Sequence, residues 1–209
     1  MTDAWAPISD YGIIGDLRTA ALIGRDGGID WCCLPRFDSG SIFAALLDPE
    51  RGGTWSIRPA GAHTAAHAYR PGTNILETTF ETLDGGRVEL TDFMPVTADG
   101  RPDGPHPEIH RRLRGMGGPV AMEIVFQPRF EYGARATRIE VLRAGLYASD
   151  RSDQVATVAS ARPFDWVVTD GAARTTFDLA PGEDRWLVLR YDDDDVHPVD
   201  QIGRASCRE

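Results

Sequence analysis

Along most of the chain, apolar and polar positions alternate in short runs rich in Val, Ile, Thr and aromatic residues, broken by Gly, Pro and Asp. A period of two is the mark of strands, and such breakers are turn residues. Residues 19–25 and 29–34 flank Asp26-Gly27-Gly28, and residues 74–83 and 87–93 flank Asp84-Gly85-Gly86. Asp-Gly between two such runs predicts a tight hairpin. Residues 108–114 and 120–126 surround a Gly-rich turn, and further strands are expected at 138–143, 155–160, 166–169, 174–179 and 185–191. In residues 74–83, Leu76, Thr78, Phe80 and Thr82 share one face, and Ile75, Glu77, Thr79 and Glu81 take the other, which is expected to meet solvent. About a dozen strands at this spacing predict an all-β fold, a sandwich or a barrel. Helical patterning is confined to residues 41–47 (SIFAALL), which follow two good N-cap residues, Asp38 and Ser39, and stop at Asp48-Pro49.

Composition narrows the class. The chain has 209 residues, 42% of them hydrophobic, which suits one domain or two small ones with a real core. No apolar run is long enough for a transmembrane helix, and the first ten residues lack the basic and apolar regions of a signal peptide. The formal net charge of -10 argues against nucleic acid or an anionic membrane as a partner. All 22 basic residues are Arg. Three Cys, two of them adjacent, make no disulfide framework, so a reducing cytoplasmic setting is expected. Residues 98–107 (ADGRPDGPHP) read as a loop. Residues 192–195, four consecutive Asp, read as a solvated linker more readily than as a calcium site.

Candidate chemistry is sparse. There is no G-x-S-x-G, Walker A loop, G-x-G-x-x-G or H-E-x-x-H. His63 and His67 stand among Ala, Gly and Thr in an expected loop with no third ligand nearby, so neither a metal nor another cofactor is expected. Cys32 and Cys33 alternate across a strand, so at most one should face the core, and both read as structural thiols. The segment with most to offer is residues 29–39 (IDWCCLPRFDS). Trp31 and Phe37 bring flat apolar faces suited to sugar rings, and Arg36 and Asp38 bring a planar donor fork and its acceptor. The simpler reading of the same residues is a structural corner, with Asp38 capping the helix, Arg36 paired to a carboxylate and Phe37 filling the core.

Residues 8–47 (ISDYGIIGDLRTAALIGRDGGIDWCCLPRFDSGSIFAALL) resemble the start of bacterial glycoside hydrolase family 15 proteins, the glucoamylase and trehalase-like group. YRPGTNILET at 69–78, LTDFMPV at 90–96 and QPRFEYG at 127–133 follow in that family's order, and the resemblance extends to about Tyr191. It implies an N-terminal β-sandwich followed by a larger (α/α)6 barrel, whose two glutamates hydrolyse an α-glucosidic bond with inversion. Nothing here resembles the paired helices of such a barrel, so no catalytic residue is assigned, and Glu77, Glu81 and Glu131 belong to the sandwich. The expectation is therefore a large antiparallel sandwich at 1–191, an acidic linker at 192–201 and a tail at 202–209. The tail (IGRASCRE) back-translates into a common sequencing-library adapter, which would make Cys207 foreign and the chain a fragment. Its expected partners are its own missing catalytic domain and, through that domain, an α-glucoside. The alternative is a stand-alone carbohydrate-binding or purely structural sandwich.

Overall fold

The structure, a computed structural model, describes residues 6–96, 106–150, 153–193 and 196. The tail at 202–209, most of the loop expected at 98–107, and Asp194 and Asp195 of the acidic run lie outside these residues. Sixteen strands follow one another among the described residues. The first five are β1 (Tyr11–Gly15), β2 (Ala20–Gly24), β3 (Gly28–Cys33), β4 (Ser41–Phe43) and β5 (Thr54–Pro59). Next come β6 (His63–Tyr69), β7 (Leu76–Thr82), β8 (Arg87–Phe93), β9 (Glu108–Gly115) and β10 (Val120–Gln127). After a one-turn helix, α1 (Phe130–Gly133), the chain adds β11 (Arg138–Leu142), β12 (Gly145–Ser149), β13 (Val155–Ser160), β14 (Val167–Thr169), β15 (Ala172–Leu179) and β16 (Asp184–Tyr191).

They form two eight-stranded sheets. The first runs β1-β2-β3-β5-β10-β15-β14, with β4 paired to β3; the second runs β11-β12-β13-β16-β9-β8-β7-β6. All pairings in both are antiparallel. The fold is a β-sandwich, as the alternation predicts. Strand β7 shows the cause: Leu76, Thr78 and Phe80 are buried, while Glu77 and Glu81 face outward. One continuous core, with Trp55, Phe43, Phe126 and Phe80 among its largest members, fills the space between the sheets. At one edge the sheets are tied together: the Tyr69 hydroxyl accepts from the Ile13 amide at 2.7 Å and donates to the Ile13 carbonyl at 2.8 Å. Those bonds use edge groups that would otherwise stay open to another chain.

Two residues of the core faces are charged. In β8 the inward positions are Val88, Leu90 and Asp92; in β9 they are Ile109, Arg111 and Leu113. Asp92 and Arg111 pair across the strands, and both side chains are fully buried. Arg111 Nε donates to Asp92 Oδ1 at 2.8 Å, Nη2 donates to the Gly27 carbonyl at 2.7 Å, and Nη1 donates to the Trp55 carbonyl. Its guanidinium also lies over the Trp55 ring, 5.0 Å from the centroid. Because Trp55 belongs to the other sheet and Gly27 to that sheet's β2–β3 turn, Arg111 is a polar strut through the core. Gly27 cannot carry a side chain there: its φ is +82°, and a Cβ would stand 2.2 Å from the Ile57 carbonyl oxygen.

Three expectations need correction. Residues 41–47 are not a helix: Ser41–Phe43 are strand β4, followed by turns. Seven residues are too few for a helix to stand on propensity, and Ser41, Ile42, Phe43 and Ala44 are buried in succession, which a surface helix does not allow. Asp38 therefore caps nothing helical, and Asp48 instead accepts from the Glu50 and Arg51 amides in a turn. His63 and His67 lie on strand β6, not in a loop. Four strand residues span about 13 Å, too far for one metal ion. Both Cys32 and Cys33 are buried, because the register slips between them where β3 pairs β4. The Gly-rich turn expected between residues 114 and 120 is present and carries the chain from the second sheet to the first.

Candidate functional site

The segment singled out in the sequence emerges at one end of the first sheet. Strand β3 is bulged: Ile23 pairs with Ile29 and Leu22 with Trp31, leaving Asp30 as the extra residue. A bulge turns side chains that would alternate, and it frees backbone groups from the ladder. Asp30 and Trp31 are accordingly both half-buried, while Ile29 and Cys32 stay in the core. The Asp30 carbonyl is taken by the Leu46 amide at 2.9 Å.

Beyond β3 the loop is held by its own backbone. The Phe37 amide donates to the Arg18 carbonyl at 3.0 Å, the Ser39 amide to the Arg36 carbonyl at 3.0 Å, and the Arg36 amide to Ser39 Oγ at 3.2 Å. The β1–β2 turn beside it is fixed by Asp16, whose Oδ1 accepts from the Arg18 and Thr19 amides. Thr19 Oγ1 in turn donates to the Cys33 carbonyl. Arg36 and Asp38 form a two-pronged pair at 3.0 and 3.1 Å, with side chains 69% and 71% exposed. Phe37 is 66% exposed and fills no part of the core. The corner reading is thus half right: Arg36 does pair with a carboxylate, but Phe37 and Asp38 do not play the roles it gives them.

A third segment completes this end. After β10 the chain turns through α1, where Glu131 (φ 52°) and Tyr132 (φ 58°) take left-handed dihedrals, followed by Gly133 (φ 75°). Two successive non-Gly residues in that region hold roughly 1–3 kcal/mol of strain each, and such residues cluster where a side chain must be aimed. Here Tyr132, half exposed, is set against Trp31 with ring centroids 5.9 Å apart at 48°, and its hydroxyl lies 3.9 Å from the Cys33 sulfur. That neighbouring thiol pushes the Tyr132 phenol above its ordinary value, and burial pushes the Cys33 thiol up, so neither ionises readily. Glu131 points the other way, accepts from Gln154 Nε2, and lies so close beneath Gly40 that a Cβ there would be 2.5 Å from its carboxylate. A side chain at Gly40 would have to displace that carboxylate.

Of the four residues proposed from sequence, the structure joins Arg36 to Asp38 and sets Phe37 beside them in the same loop. Trp31 goes to Tyr132, and among the described residues no hydrogen bond, ion pair or ring contact links it to the other three. Glu131 and Tyr132 lie about a hundred residues downstream, inside the QPRFEYG motif; what sequence reasoning missed is that this motif folds against Trp31. Three loops thus expose Leu17 (83%), Phe37 (66%) and Tyr132 (50%) together with a charged fork. Among the described residues no cluster of three or more His, Cys, Asp or Glu is placed to hold a metal, and no helix is long and apolar enough to cross a membrane.

Fold and rim together define a class: a large antiparallel sandwich with a rim of exposed loops at one end. The model of the family described as "Trehalase-like, N-terminal" matches residues 1–208, and the chain belongs to that family. A trehalase of Thermoplasma volcanium is 34% identical over 154 residues, covering 71% of this chain and 24% of the relative. A trehalase of Thermoplasma acidophilum is 31% identical over 177 residues, covering 81% and 29%. A trehalase of Mycolicibacterium smegmatis is 33% identical over 154 residues, covering 63% and 22%. The chain therefore spans about a quarter of the length of these relatives. A solved structure titled a putative kojibiose phosphorylase from human microbiome matches at a TM-score of 0.41 and 10% identity, over 96% of this chain and 27% of that one, too distant to inform fold or function.

Proposed function

We propose that this chain is the non-catalytic N-terminal sandwich of an α-glucoside hydrolase of the glycoside hydrolase 15 type, trehalase- or glucoamylase-like, and that its exposed rim seats against the catalytic barrel of that enzyme. The observation that carries the reading is the family match over residues 1–208 in a chain a quarter as long as the trehalases it resembles. The rim supports it. Leu17, Phe37 and Tyr132 expose apolar surface, and Arg36 and Asp38 are available to re-pair with groups of a barrel. Trp31 and Tyr132 are tilted, not coplanar, which fits a docking edge better than a flat platform for a sugar chain. Hydrolysis with inversion needs an acid and a base flanking the scissile bond, with water between them; in this reading both come from the barrel. The purified chain is expected to release no glucose from trehalose, maltose or maltooligosaccharides above a heat-killed control. Glucose release in proportion to protein would overturn the proposal.

A further inference from the structure

Behind the bulge, on the outer face of the first sheet, lies a cleft of about 390 Å³ lined by residues of β1, β3, β5, β10 and β15 and of the loop after β4. We infer that this cleft binds a neutral polyhydroxyl ligand of mono- or disaccharide size. The inference is independent of the parent enzyme's activity and rests on the chemistry of the lining.

Its centre is Asp30, which the bulge turns outward. Asp30 Oδ1 accepts from Thr54 Oγ1 at 2.8 Å, and Oδ2 accepts from the Tyr11 hydroxyl at 3.0 Å. Both donors are neutral hydroxyls, so the Asp30 carboxyl stands at the cleft wall without a cationic partner and with lone pairs to spare. Burial pushes this carboxyl above its ordinary value, with the nearby Asp26 adding to the effect against the bonds from Thr54 and Tyr11. Arg58 faces the same space. Its closest carboxylates, Asp26 at 3.9 Å and Glu123 at 3.7 Å, are beyond hydrogen-bond distance, which leaves its donors for a ligand. Arg174 and Gln127 complete the polar lining.

Two further features mark a binding cleft. Ser56, only 7% exposed, lines it and brings a hydroxyl to its wall. Next to it Val125, 4% exposed, adds an apolar patch to the lining. Two carboxylates, Asp26 and Asp30, face two guanidiniums, Arg58 and Arg174, so the lining selects neither an anion nor a cation. Acceptors and forked donors interleaved over an apolar spot suit adjacent hydroxyls on a carbon ring. The volume lies within the ordinary range for small-molecule sites.

The test is titration of the 209-residue chain with trehalose, maltose and glucose, followed by calorimetry and by amide shifts in NMR. Expected is saturable binding with a dissociation constant on the order of millimolar, with shifts centred on Tyr11, Asp30, Thr54 and Ser56. Asp30→Asn removes the acceptor charge at constant shape, and Arg58→Met removes the donors without touching Asp30. Each should weaken binding about tenfold, as loss of a hydrogen bond to a charged group does, while Arg138→Ala on the distant edge strand β11 leaves it unchanged. No saturable binding by any of the three sugars would overturn the inference. So would binding untouched by either cleft variant, or tighter binding of glucose 6-phosphate than of glucose. None of these outcomes bears on whether the chain hydrolyses a glycoside, so the two proposals fail separately.

Discussion

Two arginine–aspartate pairs in this molecule have nearly the same geometry and opposite surroundings. Arg111 and Asp92 meet through two N–H···O contacts of 2.8 and 3.3 Å, both side chains wholly buried. Arg36 and Asp38 meet through contacts of 3.0 and 3.1 Å with side chains 69% and 71% exposed. In water the exposed pair gains little, because solvent screens it and ordering two side chains costs entropy. In the core there is no solvent to take over if one partner goes, so losing either leaves the other buried without its counter-ion. The buried pair also spans the two sheets through the Gly27 and Trp55 carbonyls, whereas the exposed pair spans two residues of one loop. Geometry alone therefore does not tell a structural pair from a recruitable one; the surroundings do.

The largest effect should come from breaking the buried pair. Arg111→Met leaves the Asp92 carboxylate without a partner and is expected to cost about 3–5 kcal/mol of folding free energy, read from urea unfolding. A loss below about 1 kcal/mol would mean that the strut is dispensable. The double change Asp92→Leu with Arg111→Met should recover roughly half of that loss. Recovery is partial because the Gly27 and Trp55 carbonyls still lose their donors. A double variant no better than the single would show that the carbonyl bonds, and not the ion pair, dominate.

Asp30 stands between the two extremes, half-buried and bonded only by hydroxyls. Its folded-state pKa is raised, by burial first and then by Asp26, against Thr54, Tyr11 and the more distant Arg111. The folded protein thus holds this proton more tightly than the unfolded chain. The stabilising contribution is full below the ordinary carboxyl value and is lost as the pH rises through the raised one. Measured against Asp30→Asn across that window, the wild type should gain stability as the pH falls. A difference that is flat with pH, or that slopes the other way, would show the carboxylate to be better stabilised than its surroundings suggest.

The smallest stability effect is expected at the rim. Arg36→Ala and Asp38→Ala should change folding free energy by no more than about 0.5 kcal/mol. In an enzyme carrying this domain joined to its barrel, the same changes should lower kcat/KM if the rim contacts the barrel or substrate. A clear fall in melting temperature with normal kinetics would return the loop to the scaffold and collapse the contrast with Arg111–Asp92.

Much of the sheet structure was legible. Strands β7 and β8 announce themselves by alternation and an Asp-Gly-Gly turn, and β2 and β3 do the same. Five strands were not: β1 and β12 carry glycines, β4 is three residues long, β5 contains buried serine and proline, and β6 (HTAAHAY) alternates small polar with small apolar residues. For these the decisive term is pairing with a neighbour, which a window of local sequence does not contain. The buried strut left a trace that can be read afterwards. Asp92 and Arg111 each fall in the apolar phase of a strand, the place where a charge is costly unless matched. The candidate site was half legible: Arg36 and Asp38 are close in sequence and find each other locally, but the Trp31–Tyr132 contact bridges a hundred residues.

What the sequence determined by itself is the class of fold and its tight hairpins, since a period of two and Asp-Gly turns act over a few residues and need no partner from elsewhere. The tertiary structure decided what those residues are for. It made β4 a strand, because four successive buried side chains outweigh helix propensity. It buried both cysteines through a slip in register. It turned Asp30 outward at a bulge in the pairing of β2 with β3, and it set one Arg–Asp pair in the core and the other in water. Burial and cross-sheet pairing are properties of the assembled chain, and here they govern the energy of every charged group that matters.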